Sequence, residues 1–202
     1  MRSILSIAAF LAAASLQAQT FTSGDFSFTV TDEASRKVEL SVYIPDSDAT
    51  EDTPQSAILE VPATISYNSE EWTVAGIGAS AFENSANITK VILPEEMDYI
   101  GNYAFAGCTG LKEIKLPGIL ATLGRESFRG CSELESIQLP KGIEALPENL
   151  FHGCISLIHV TAASTLTSIE ANCFYRCRNL EIVPDLSKAE FIGAGAFNGC
   201  CS

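Results

Sequence analysis

From Ile77 to the end of the chain, apolar positions recur in register every 23 residues. Six phenylalanines mark the period: Phe82, Phe105, Phe128, Phe151, Phe174 and Phe197. Five positions before each stands Ile77, Ile100, Leu123, Leu146, Ile169 or Ile192. Three positions after each stands Ser85, Cys108, Cys131, Cys154, Cys177 or Cys200. Further columns run through Leu111, Leu134, Leu157 and Leu180, and through Val91, Ile114, Ile137, Val160 and Val183. Fixed-period self-similarity of this kind predicts stacked coils.

Each column has a physical reading. In Leu111–Pro117, Ile114 and Leu116 alternate with Glu113 and Lys115, as a half-buried strand requires. Pro94, Pro117 and Pro140 end such strands, because proline has no ladder donor. Gly78, Gly101, Gly124 and Gly193 follow the Ile/Leu column, where a tight turn is expected. A single 23-residue turn cannot cover its own apolar face, but stacked copies cover one another. Six rungs in parallel pairing give a body roughly 25–30 Å long with a continuous Phe spine.

Residues 20–75 lack the repeat and read as an N-terminal β cap. Phe26–Thr31 and Lys37–Ile44 alternate around the polar Asp32–Arg36 and predict a hairpin. Ile58–Val61 reads as a strand. Ile65–Tyr67 and Trp72–Val74 read as a second hairpin around Asn68-Ser69. Residues 1–19 read as a secretory signal: Arg2, then the apolar run Ile4–Ala14, then small residues with cleavage near Ala18. The run is too short to span a bilayer, so the mature chain is expected to be exported and to carry no transmembrane segment. An extracellular, cell-surface or periplasmic location follows.

Leu-x-x-Ile-x-Leu-Pro, as in Leu111–Pro117, and Ile-Gly-x-x-Ala-Phe-x-x-Cys, as in Ile100–Cys108, resemble the BspA-type leucine-rich repeat, also called the Treponema-pallidum type. The resemblance covers about Val74 to Ser202. It implies a right-handed leucine-rich repeat solenoid of α/β type, mostly β, with six repeats over residues 76–202. Members are secreted or surface proteins, so it implies adhesion or binding of host and matrix proteins, and no enzymatic activity. Repeats four and five depart from the pattern: Pro147 and Glu170 replace the glycine, Ala162 replaces a strand leucine, and Pro184 lies inside a strand. Irregularity is therefore expected in the C-terminal part of the face.

The outward strand positions form the expected concave binding face: Lys90 and Ile92, Glu113 and Lys115, Ser136 and Gln138, His159 and Thr161, then Ile182. Their mixed chemistry suits an extracellular protein or a glycan. The net charge of −13, with 12 Lys+Arg against 25 Asp+Glu, argues against nucleic acid. The strand near Leu180–Val183 is expected to be an exposed edge, which offers self-association there as an alternative role.

Three further chemistries have candidate residues. Asp46, Asp48, Thr50 and Asp52 place oxygens at alternate positions, as a calcium loop does. The turn glycine is absent and Ala57 stands where the bidentate Glu belongs, so the plainer reading is a solvated acidic loop without a cofactor. Seven cysteines in an exported chain suggest disulfides. Five of them share one inward column at strand spacing, which favours buried, reduced thiols. Cys173 occupies a small-residue column and is also expected inside. Cys201 is the candidate for an exposed thiol or an intermolecular bridge, and zinc through Cys173, Cys177, Cys200 and Cys201 lacks a paired C-x-x-C motif. A Cys–His hydrolase would need His152 or His159 beside Cys154, but His159 faces outward and His152 sits in a variable surface slot.

Overall fold

The computed structural model of the chain describes residues 19–23, 25–43, 57–162 and 165–201. The expected signal segment up to residue 18 and the acidic loop with Asp46, Asp48, Thr50 and Asp52 lie outside the described residues.

β1 (Thr20–Ser23), β2 (Phe26–Asp32) and β3 (Lys37–Tyr43) form an antiparallel meander. The Asp32 carboxylate accepts from the amides of Ala34 and Ser35 and so shapes the β2–β3 turn. β5 (Thr64–Tyr67) and β6 (Glu70–Ile77) make the second expected hairpin. Asn68 and Ser69 both take positive φ, as a two-residue hairpin loop requires.

The cap does more than cover the first rung. β3 pairs in parallel with β6, and β6 with β8 (Tyr99–Ile100), so cap and solenoid share one sheet. Tyr99 donates to the Glu39 carboxylate at 2.7 Å, and Lys37 meets Asp98 at 2.9 Å across this junction. Burial and the neighbouring Glu39 push the Tyr99 phenol above its ordinary range. The ring lies on Gly76, where a Cβ would collide with it.

Each coil has three walls. The first is a strand: β4 (Ala57–Glu60), β7 (Ile88–Ile92), β9 (Glu113–Lys115), β11 (Ser136–Gln138), β13 (His159–Thr161), then a single bridge at Ile182. The second is a shorter strand at the Ile/Leu column: β6, β8, β10 (Thr122–Leu123), β12 (Ala145–Leu146), β14 (Ser168–Ile169) and β15 (Phe191–Ile192). The third is a run of turns bearing the phenylalanines; no helix occurs among the described residues. Because β4 supplies the first strand, each of the six Phe coils has a first-wall segment of its own, and Leu180–Val183 belongs to the sixth.

The third wall is laddered too. Phe105 N donates to Ser127 O, Phe128 N to Leu150 O and Phe151 N to Cys173 O, each bond spanning one joint between coils. Inside, Phe105, Phe128, Phe151 and Phe174 are fully buried. Successive rings stack with centroids 5.1, 5.6, 5.8, 5.5 and 5.2 Å apart. Cys108, Cys131, Cys154 and Cys177 are buried free thiols beside that spine, Cys173 is likewise buried and free, Cys200 is partly buried and Cys201 is exposed.

The glycine column does open the expected tight turn: Gly101, Gly124 and Gly193 O accept from Ala104, Ser127 and Ala196 N. It also allows close approach, since a Cβ on Gly101 would lie 2.7 Å from Ala79 N of the preceding coil. One expectation needs correction. The first-wall strands do not form one continuous sheet. β4–β7–β9 and β11–β13 are separate, and on the second wall β10 does not pair with β12.

Candidate functional site

The first wall builds an exposed face from its alternation. Val91, Ile114, Ile137 and Val160 point into the core, 5% exposed or less. Their neighbours therefore point outward. Glu113, Lys115, Ser136, Gln138, His159 and Thr161 are exposed, Ile92 is 40% exposed, and Lys90 is half-buried. Register sets the neighbours: Lys90 beside Glu113, Ile92 beside Lys115, Ser136 beside His159, and Gln138 beside Thr161. Ile182, bridged to His159 and 48% exposed, joins them, so all nine expected residues lie on the outward side of this wall.

The charges there are largely paired. Lys90 meets Glu113 at 2.7 Å, and Lys115 meets Glu95 at 2.7 Å. The Lys115 ammonium and then the Gly118 amide hold the Glu95 carboxyl below its ordinary value. A groove of about 510 Å³ runs between β9 and β11, with Glu113, Lys115, Ser136 and Gln138 on its walls and Leu139 and Pro140 at one end. A second groove of about 450 Å³ continues past Lys141 and Thr161. Apolar residues flank the polar centre: Ile58 is 66% exposed and Ile182 48%.

Ile58 and Glu95 were not among the residues expected to form the face. Ile58 sits opposite Lys90 across the β4–β7 ladder, 32 positions away rather than 23, so the repeat could not place it. Glu95 follows Pro94 on a connecting segment, and no strand periodicity marks it.

The other expected chemistries fall on different walls. His152 stacks on Tyr175 at 4.9 Å, and the Arg176 guanidinium lies 5.3 Å from the Tyr175 ring, on the Phe wall. His159 is on the strand face, while the Cys154 thiol is buried and donates to Phe128 O. No group of three or more His, Cys, Asp or Glu residues able to hold a metal occurs among the described residues. No helix of the described residues is long and apolar enough to cross a membrane.

The deciding similarity is to a family of repeats. The BspA type leucine rich repeat region matches residues 75–202 in six copies. This chain belongs to the BspA-type leucine-rich repeat family. The T. pallidum leucine-rich repeat protein is similar in fold, with TM-score 0.69 at 21% identity over 91% of this chain and 90% of that one. A leucine-rich cell surface protein of Faecalibacterium prausnitzii gives TM-score 0.67 at 20% identity over 90% of this chain. The pneumococcal vaccine antigen PcpA gives TM-score 0.60 at 13% identity over 90% of this chain. This chain spans about half the length of the last two, 52% and 48%. No curated protein matches it.

Proposed function

We propose that this BspA-type protein is an exported bacterial interaction protein that binds an extracellular protein or glycan through its strand face, in an adhesive role. The supporting observation is the ladder register, which holds Lys90, Glu113 and Lys115 side by side on one ladder and Ser136, Gln138 and His159 on the next, with a groove between the two. Preorganised side chains lower the ordering cost of binding. Similarity to a leucine-rich cell surface protein supports the export reading. The test is capture of labelled matrix protein or surface glycan by the full chain. The combined Glu113→Ala, Lys115→Ala and His159→Ala variant should lose it; undiminished capture would exclude this face.

A second reading is assembly through the sixth coil. Ile192 belongs to a column whose members Ile77 and Ile169 are fully buried, yet it is 51% exposed, as is Phe191. Ile182 and Val183 are 48% and 39% exposed on the same coil. Sedimentation should show concentration-dependent association that Ile192→Asp weakens; a strict monomer at high concentration would exclude it.

A further inference from the structure

Four of the five joints between coils are closed on both sheet walls, and one is not. Coils one and two pair through β4–β7 and β6–β8, and coils two and three through β7–β9 and β8–β10. Coils four and five pair through β11–β13 and β12–β14, and coils five and six through the His159–Ile182 bridge and β14–β15. Between coils three and four, neither β9–β11 nor β10–β12 pairs.

The missing bonds lie at matching positions. Asp98 N donates to Ala75 O, Ala121 N to Asp98 O, Thr167 N to Glu144 O and Glu190 N to Thr167 O. Among the described residues no such bond joins Glu144 N to Ala121 O. On the first wall Lys112 N donates to Thr89 O, Ile158 N to Glu135 O and Glu181 N to Ile158 O, but Glu135 N does not reach Lys112 O. The third wall stays closed: Glu126 N, Phe128 N and Gly130 N donate to Glu148 O, Leu150 O and His152 O. The Phe128–Phe151 ring spacing, 5.8 Å, is the widest in the spine.

Pro147 explains the opening. At the residue after the second-wall strand, Gly101, Gly124, Glu170 and Gly193 each donate an amide to the preceding coil, and Gly78 to Leu40 of the cap, at 2.7–2.8 Å. Pro147 holds that position in coil four and has no N–H to give Leu123 O. Glu170 closes its joint while carrying a side chain, so the lost donor matters more than the added bulk. A tilt about the intact Phe wall would part both other walls together. The groove of about 510 Å³ is the first-wall side of that parting.

We propose that the joint between coils three and four is a hinge, about which coils one to three and coils four to six tilt as two rigid blocks and widen or narrow this groove. The inference rests on the ladder and on Pro147, not on the binding reading, so either can fail alone.

Hydrogen exchange on the full chain tests it. The amides of Glu135 and Glu144 should exchange roughly tenfold faster than those of Lys112, Ile158, Ala121 and Thr167, about the ratio set by one lost bond. Pro147→Gly and Pro147→Glu should both slow Glu135 and Glu144 to the level of their equivalents. Glu170→Pro should extend the fast exchange to Ile158 and Thr167 while Glu135 and Glu144 stay fast. Spin labels at Lys90→Cys and Thr161→Cys, on a Cys201→Ser background, should give a broad distance distribution that Pro147→Gly narrows. Equal exchange at all five joints, or one narrow distribution with and without Pro147, would overturn the hinge. Because Pro147→Gly also loosens the unfolded chain, the local amides rather than the global stability decide the outcome.

Discussion

The Cys154 thiol lies 3.0 Å from the carbonyl oxygen of Phe128, one coil back in the stack, and donates to it. The same bond recurs from Cys108 to Phe82, Cys131 to Phe105, Cys177 to Phe151 and Cys200 to Phe174, at 3.0–3.2 Å. The cysteine column is therefore a rung-to-rung fastener as well as a small apolar filler. It gives a second bond to a Phe-wall carbonyl that already accepts an amide of its own coil, as Phe128 O does from Cys131 N.

Buried, hydrogen-bonded thiols are poor nucleophiles. In the folded chain, iodoacetamide at pH 8 should modify Cys201 first, Cys200 slowly, and the other five not at all. Unfolding in denaturant should expose all seven. Peptide mass mapping reads the pattern; rapid native labelling of Cys131 or Cys154 would contradict the column.

Alkaline stability follows from the same burial. Desolvation pushes Cys108 and Cys177 up to about 12 from an ordinary 9.0, and lifts Cys131, Cys154 and Cys173 well above it. Below pH 9 these thiols are neutral in both states and their full contribution is present. Between 9 and 12 the unfolded chain loses protons that the folded chain keeps, so stability falls, by up to about 1.4 kcal/mol per pH unit for each thiol. Urea midpoints should be level from pH 7 to 9 and drop above it. Cys154→Ala should make that drop shallower, and an unchanged slope would count against the mechanism.

The Phe spine predicts a graded mutational cost. Phe128→Ala, inside the stack, should lose about 3–5 kcal/mol. Phe197 is only partly buried at the end of the spine, and its alanine variant should lose less than about 2 kcal/mol. Equal costs in urea unfolding would mean that the rings do not share one continuous core.

Ser127 stands in the column held by Ala81, Ala104 and Ala196 and is fully buried, and its hydroxyl has no hydrogen-bond partner. Ser127→Ala removes an unsatisfied polar atom and should stabilise the chain by about 1 kcal/mol. Thermal or urea unfolding checks the sign; a clear loss would show that the hydroxyl is bonded.

The repeat was legible because every coil reuses one contact environment, so the residues facing that environment recur in the chain. Phe, Cys, Ile/Leu and strand columns, both cap hairpins and the nine face residues could all be read from spacing alone. Pro147 was visible as a departure, and irregularity was expected from it. Which departure would matter was not visible, because Glu170 breaks the same motif and leaves its joint closed.

By itself, then, the order of residues determined the coil, its inward columns and its outward face, since period and burial are local consequences of side-chain type. Only the tertiary structure decided how coil meets coil. Ile58 joined the face through β4, the glycines allowed close approach as well as opening a turn, and one joint out of five was left unpaired where an amide is missing. Those outcomes depend on distances between residues about 23 or more positions apart along the chain, which no local pattern encodes.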